Sequence, residues 1–254
     1  MHGDWTLVSS FKAALGDSVW FAEVAYPRTT SWTLQQYAEG VLAALGKAGI
    51  ASGWLLGESF GSQVAWKLLE SSGSGEQVVF RPQGMILAGG FVQYPLPWVI
   101  PAVQRVNHAV PMWFLKGFCR IYVFYARFRH HRARETLASV QEFVLNRSQE
   151  ADRQALAYRY TLIKENNLCE VARTAKVPVY QLTGFFDPIV PWIFVRRWLK
   201  RNCAAYGGWK LIWRADHNVL GTAPAACARQ MLQSRIVRLV PQTPARTTLQ
   251  VSQD

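Results

Sequence analysis

The sequence predicts an α/β fold in which a mostly parallel sheet is covered on both faces by helices. Short runs that are apolar throughout, such as 85–90 and 178–184, are typical of strands buried on both faces. They alternate with segments whose apolar residues recur at helical spacing, such as 32–45. The helical pattern of 103–175, which contains no strand candidate, predicts a helical insertion into this fold.

The core elements follow one another in a regular order. Apolar runs predict the strands, and apolar residues three and four apart predict the helices. In chain order they are a strand over 18–26, a helix over 32–45, a strand over 53–56, a helix over 62–69, a strand over 85–90, a strand over 178–184, a helix over 192–202 and a strand over 209–213. This alternation predicts parallel pairing.

The composition fits one domain with an insertion. Half of the 254 residues are hydrophobic and 17% are charged, which is enough apolar material for a large core. The eleven tryptophans and thirteen phenylalanines fill cores but also line apolar ligand pockets. The four cysteines form no C-x-x-C pair, so we expect free thiols, a reducing cytoplasmic compartment and no metal site.

The pentapeptide 57–61, Gly-Glu-Ser-Phe-Gly, joins a predicted strand to a predicted helix. It is a G-x-S-x-G pattern, and this context is that of a nucleophile elbow. Because the turn is tight, we expect that any side chain larger than that of glycine would clash two residues before and two residues after Ser59. Glu58 is interpreted as a packing or surface residue, or else as a modulator of the local field.

Two later loops carry the other candidate catalytic residues. Asp187 lies in the loop after the strand 178–184, and His217 lies in the loop after the next strand. Because the carboxyl ends of parallel strands meet at one edge of a sheet, we expect both side chains to converge on Ser59. Asp216 is the rival acid, but a residue adjacent to His217 is poorly placed to reach its ring nitrogen.

These motifs resemble those of the α/β-hydrolase superfamily, in its branch of small serine hydrolases with a helical cap. Residues 184–191 resemble the G-x-x-D-x-x-V-P acid loop of that family, and residues 216–220 resemble its histidine loop. The resemblance covers roughly residues 1–100 and 175–235 of the chain. It implies a carboxylesterase-like enzyme with the α/β-hydrolase fold.

The start of the chain adds a further motif. Residues 2–5, His-Gly-Asp-Trp, resemble the H-G-x-W turn after the family's third strand, which supplies part of the oxyanion hole. The resemblance implies the backbone N–H groups of Phe60 and Asp4 as oxyanion donors. In the family this turn lies behind the first strands, so the resemblance implies that these amino-terminal strands are missing from the sheet.

The resemblance implies hydrolysis of a carboxylic ester or thioester through an acyl-enzyme. His217 would take the proton of the Ser59 hydroxyl, and Asp187 would hold the His217 ring in the correct tautomer. An elbow serine argues against haloalkane dehalogenases and epoxide hydrolases, which use an aspartate there. Two alternatives stay open: an acyltransferase with the same triad, and a catalytically impaired member that binds a ligand or partner. No metal or organic cofactor is implied.

The same reasoning divides the chain into three parts. We expect the core in residues 1–94 and 176–240, and the helical cap in residues 95–175. The polar residues 241–254 predict a disordered tail.

The net charge of +12 is unevenly distributed. Residues 105–134 contain seven lysines and arginines and no acidic residue. This stretch predicts either a solvated basic face or contact with an anionic partner, such as a membrane surface or an anionic substrate. Nucleic acid is not expected, because nothing resembles a known binding module. No signal peptide or membrane-spanning segment is expected.

Overall fold

The structure is a computed structural model that describes residues 8–72, 79–129, 137, 141, 149–233 and 247–251. Helices and strands alternate along most of this length. The elements are α1 (Ser9–Leu15), β1 (Ala22–Ala25), α2 (Leu34–Lys47), β2 (Ser52–Glu58), α3 (Gly61–Ser71), β3 (Arg81–Ala88), α4 (Ile100–Ala109), α5 (Met112–Arg129), α6 (Glu150–Glu165), α7 (Cys169–Arg173), β4 (Val179–Gly184), α8 (Trp192–Asn202), β5 (Tyr206–Ile212), α9 (Val219–Thr222), α10 (Pro224–Gln233) and β6 (Thr247–Gln250).

Four parallel strands form the main sheet, in the order β2-β3-β4-β5. The carboxyl ends of β2, β4 and β5 therefore lie at one edge. Successive side chains of a strand point to opposite faces, so Met85 and Leu87 enter one core whereas Ile86 and Ala88 enter the other. Helices α2, α3, α7 and α8 cover the first face, and α1, α9 and α10 cover the second. The predicted α/β class with a parallel sheet is confirmed.

The start of α2 shows how the local sequence sets an element boundary. The side chain of Thr33 accepts a hydrogen bond from the Gln36 N–H, and the Gln36 side chain accepts one from the Thr33 N–H. This capping box satisfies two backbone donors that a helix start leaves unpaired. It places the helix two residues later than the predicted start at residue 32.

The described parts of the insertion between β3 and β4 are helical. Its helix α6 is fastened to the loop after β1 by a salt bridge of 3.0 Å between Arg28 Nε and Asp152 Oδ1. The Arg159 guanidinium donates to the Pro27 carbonyl at 3.1 Å and lies 5.3 Å from the centre of the Phe60 ring. These contacts attach the insertion directly beside the elbow.

Two predicted elements differ from the structure at the edge of the fold. The predicted strand 18–26 is shorter, because Gly16–Ser18 form a 3₁₀ turn and only Ala22–Ala25 of this range pair as a strand. Within the tail predicted to be disordered, Thr247–Gln250 form β6, which pairs in parallel with β1 in a separate two-stranded sheet. Leu249 and Val251 are buried, so this apolar pair orders a segment whose composition is mainly polar.

Three cysteine side chains that the structure describes are free thiols. Cys169, Cys203 and Cys227 are buried and form no disulfide. No described helix combines the length and the apolar character needed to cross a lipid bilayer.

Candidate active site

The turn between β2 and α3 holds Ser59 in an unusual backbone conformation. Its φ is 51°, and within the described segments it is the one non-glycine residue with positive φ. The Ser59 N–H donates to the Ala88 carbonyl at 3.1 Å, which ties the turn to the end of β3. A strained serine at a strand-to-helix turn is the conformation that a nucleophile elbow requires.

The two glycines of the pentapeptide have different surroundings. A Cβ atom at Gly57 would lie 2.7 Å from the Ser62 Cα and 2.9 Å from the Gly61 carbonyl oxygen, both backbone atoms. Outside the backbone of its own helix, a Cβ atom at Gly61 would meet nothing within 4 Å. The steric explanation is therefore correct for Gly57 and wrong for Gly61, where a Cβ atom would enter open space.

Two side chains of α3 form hydrogen bonds that stabilise the elbow and the loop after β3. The Ser62 hydroxyl donates to the Ser59 carbonyl at 2.6 Å and accepts from the Phe91 N–H at 3.1 Å. The Gln63 amide donates to the carbonyls of Phe91 and Val92 at 2.9 and 3.0 Å. These bonds are buried, so the loop after β3 holds the turn rigidly.

The structure brings Ser59, His217 and Asp187 together. His217 Nε2 lies 2.8 Å from the Ser59 Oγ, and His217 Nδ1 lies 3.0 and 3.1 Å from the two Asp187 carboxylate oxygens. The Asp187 side chain is fully buried, whereas His217 keeps slight contact with solvent. The imidazole therefore bridges a hydroxyl and a buried carboxylate.

The Asp187 carboxylate is oriented by its own loop. One of its oxygens accepts the N–H groups of Ile189 and Val190, both at 2.9 Å. The Tyr94 hydroxyl donates to the Ile189 carbonyl at 2.6 Å and so supports this loop from outside. Burial, and then the nearby Asp187 charge, raise the pKa of Tyr94. The sequence interpretation missed Tyr94, which lies in a proline-rich stretch without a motif.

The rival acid Asp216 has another role. Its carboxylate accepts the Asn218 N–H at 3.0 Å and shapes the turn that follows His217. The acid loop and the histidine loop also bond to each other, because the Phe186 N–H donates to the Ala215 carbonyl at 3.1 Å. Asp187 is therefore the acid that contacts the imidazole.

Comparisons with known proteins identify this architecture. No family model matches the chain, and no curated protein matches it. Solved structures do match. The enol-lactonase from Burkholderia xenovorans LB400 is similar with a TM-score of 0.68 and 17% identity, covering 93% of this chain and 88% of that one.

Two further structures are similar. A thermophilic esterase from Thermogutta terrifontis has a TM-score of 0.66 and 17% identity over 92% of this chain and 86% of its own. MGS-M2, an α/β hydrolase enzyme from a Medee basin deep-sea metagenome library, has a TM-score of 0.61 and 15% identity over 84% and 75%. This chain has the α/β-hydrolase fold.

Of the two predicted oxyanion donors in this α/β-hydrolase fold, the structure describes Phe60 but not Asp4. Phe60 directly follows Ser59 and is the N-cap residue of α3, immediately before its first residue Gly61. The positive end of the helix dipole therefore lies beside the Ser59 hydroxyl. Asp4, with the turn 2–5, lies outside the described residues.

Glu58 connects the elbow to the histidine loop, a contact that neither of its interpretations, as a packing or surface residue or as a modulator of the local field, specified. Its carboxylate accepts the Leu220 N–H at 3.1 Å. With the Asn218 amide nitrogen turned toward it, Asn218 donates to both carboxylate oxygens at 3.0 and 3.1 Å. Burial raises the pKa of Glu58 to about 7, against the lowering effects of the Leu220 N–H and of His217. Its position beside the serine was the one available sequence signal.

This raised pKa predicts that the stability of the protein depends on pH. Below about pH 4.5, Glu58 is protonated in both the folded and the unfolded chain. Between pH 4.5 and about 7 the unfolded chain loses this proton first, so the free energy of unfolding falls as the pH rises. Glu58→Gln removes this ionisation, so from pH 4.5 to pH 8 its free energy of unfolding should rise by about 2 kcal/mol relative to that of wild type. The full pKa difference would give more, but solvent reaches part of the Glu58 side chain and weakens the effect.

Urea unfolding of wild type and Glu58→Gln at pH 4.5 and at pH 8 measures this change in the free energy of unfolding. Glu165→Gln, which neutralises an exposed carboxyl on α6, is the matched control and should track wild type. A Glu58→Gln profile parallel to that of wild type would show that Glu58 ionises normally in the folded protein.

Proposed function

We propose that this protein is a serine hydrolase that cleaves a carboxylic ester or thioester through an acyl-enzyme. One observation carries the proposal: His217 Nε2 lies 2.8 Å from the Ser59 Oγ while the buried Asp187 carboxylate contacts the other ring nitrogen. A hydroxyl at hydrogen-bond distance from an imidazole that a carboxylate orients is the arrangement that activates a serine nucleophile.

The chemistry proceeds in two halves. The Ser59 oxygen forms a bond to the carbonyl carbon, and its proton moves to His217 Nε2. The tetrahedral intermediate then expels the alkoxide or thiolate, which takes that proton and leaves an ester on Ser59. Water repeats the sequence, with His217 as base and then as acid, and releases the carboxylic acid.

Asp187 and the start of α3 stabilise the charges that these steps create. The buried carboxylate favours the imidazolium and holds the tautomer in which Nε2 faces the serine. The Phe60 N–H stabilises the oxyanion, and one such donor lowers the barrier by about 3–4 kcal/mol in comparable sites. We assign the second donor to Asp4, as the resemblance implies.

The surroundings of the site support an apolar substrate. Phe185 and Phe186 directly precede Asp187, and Trp213 begins the turn toward His217. Their rings contact one another in one exposed cluster: Phe185 and Phe186 pack edge to face, and the ring centroids of Phe185 and Trp213 lie 4.6 Å apart. Exposed aromatic rings in the loops that carry the acid and the histidine favour apolar acyl or alcohol groups. An esterase and an enol-lactonase among the similar structures support the same reaction class.

A fluorophosphonate probe tests the proposal, because it reacts covalently with activated serines. We expect labelling of the wild-type protein and complete loss of label in Ser59→Ala. The matched control Ser52→Ala removes an exposed serine at the start of β2 and should label like wild type.

The outcomes separate the alternatives. A folded wild-type protein that takes no label would contradict catalysis and favour a ligand-binding role. If labelling occurs, p-nitrophenyl esters assayed with and without an added alcohol or thiol distinguish the enzymes. A hydrolase releases carboxylic acid in either case, whereas an acyltransferase delivers the acyl group to the acceptor.

A further inference from the structure

Helix α5 presents an apolar face to solvent. Five large side chains on it, Trp113, Phe114, Ile121, Phe124 and Tyr125, are between 49% and 74% exposed. At about 100° per residue they fall within a sector of about 120°. A contiguous apolar face of this kind on a globular protein marks an interaction surface.

A row of basic side chains borders this face. Lys116, Arg120 and Arg127 are exposed, and their spacing places them within a sector of about 40° beside Trp113. They belong to the stretch 105–134, which holds seven basic and no acidic residues. The helix therefore carries an apolar sector flanked on one side by positive charge.

We propose that α5 docks this protein on anionic lipid bilayers. The apolar sector inserts at the boundary between headgroups and acyl chains, and the basic row contacts the negatively charged headgroups. A helix with this division of apolar and basic surface lies in the plane of a membrane interface. The apolar sector and the basic row of α5 together form the docking surface. Membrane docking is a function additional to the proposed hydrolysis and does not depend on it.

The basic row and the exposed apolar sector together favour a membrane over the alternatives. Nucleic acid would use the basic row but would leave the ring and aliphatic side chains of the apolar sector uncovered. A second protein would cover the apolar sector, but it would also have to carry an acidic rim to match the basic row. A bilayer with anionic headgroups satisfies both features, and it does not require a spanning helix.

Sedimentation with lipid vesicles tests the proposal on the full-length protein. We expect binding to vesicles of phosphatidylcholine with about one-third phosphatidylserine, and much weaker binding to phosphatidylcholine alone. Lys116→Glu combined with Arg120→Glu should lower the partition coefficient by about 30-fold or more. Ile121→Asp combined with Phe124→Asp should lower it by roughly tenfold or more.

The control is matched in charge. Lys200→Glu combined with Arg201→Glu makes the same charge change at the exposed end of α8 and should bind within about threefold of wild type, since those residues are outside the docking surface. Circular dichroism and thermal unfolding verify that each variant is folded. Sedimentation measures binding alone, so a failure of the hydrolase proposal would not affect it.

Three results would overturn the docking proposal. The first is a wild-type protein that does not sediment with anionic vesicles. The second is an α5 variant that binds as well as wild type, or a control that loses as much as the charge-reversed α5 variant. The third is binding that double-stranded DNA competes away and that the aspartate substitutions leave unchanged, which would assign the basic row to nucleic acid.

Discussion

Replacing His217 by alanine is expected to lower kcat for a short p-nitrophenyl ester by about a million-fold. The substitution removes the base that lies 2.8 Å from the Ser59 Oγ, so the hydroxyl keeps its proton and becomes a poor nucleophile. Losses of this size follow removal of the histidine from comparable serine enzymes. The activity that remains reflects substrate binding and the oxyanion donors.

Asp187→Asn should lower kcat by about ten-thousand-fold, because an amide stabilises the wrong tautomer of His217 and cannot compensate its positive charge. His108→Ala is the matched control, since His108 is an exposed histidine of α4 far from the triad in sequence. Its kcat should equal that of wild type. Steady-state rates with purified proteins measure all three variants, and a His217→Ala protein within tenfold of wild type would refute the assignment of His217 as the base.

Replacing Gly57 by alanine is expected to lower the free energy of unfolding by about 3 kcal/mol or more. The new methyl group would lie 2.7 Å from the Ser62 Cα and 2.9 Å from the Ser62 N, and backbone atoms cannot move aside as side chains do. The elbow would have to open, so ester hydrolysis should disappear together with stability.

The other glycine of the motif supplies the matched control. Gly61→Ala adds the same methyl group where no atom beyond its own helix lies within 4 Å. We expect the free energy of unfolding to stay unchanged or to rise by up to about 1 kcal/mol, because alanine favours a helix more than glycine does. Urea unfolding compares the pair. Equal destabilisation of both variants would mean that the turn constrains both positions alike.

Local patterns were sufficient for most of the fold. The buried strands were predictable because short, continuously apolar runs are typical of strands buried on both faces. Helix α8 begins and ends at the predicted residues 192 and 202. The pattern over 18–26 was misleading. Its apolar residues pack into a core, but Gly16–Ser18 form a 3₁₀ turn and the strand itself covers only Ala22–Ala25.

The candidate catalytic residues were predictable from their positions after strands. Ser59, Asp187 and His217 meet because parallel strands end at one edge, a property of the topology that a sequence can indicate. Their catalytic role remains a prediction that the labelling and kinetic experiments decide.

The sequence by itself determined the α/β class, the elbow at Ser59 and the order of the three loops, because each depends on residues close together in the chain. Other contacts between distant segments required the folded molecule. Two such contacts are the hydrogen bond from the Leu220 N–H to Glu58 and the pairing of β6 with β1. The exposure of one face of α5 likewise depends on which distant segments do not cover it. Such relations depend on how the elements pack, and no local pattern of apolar and polar residues encodes them.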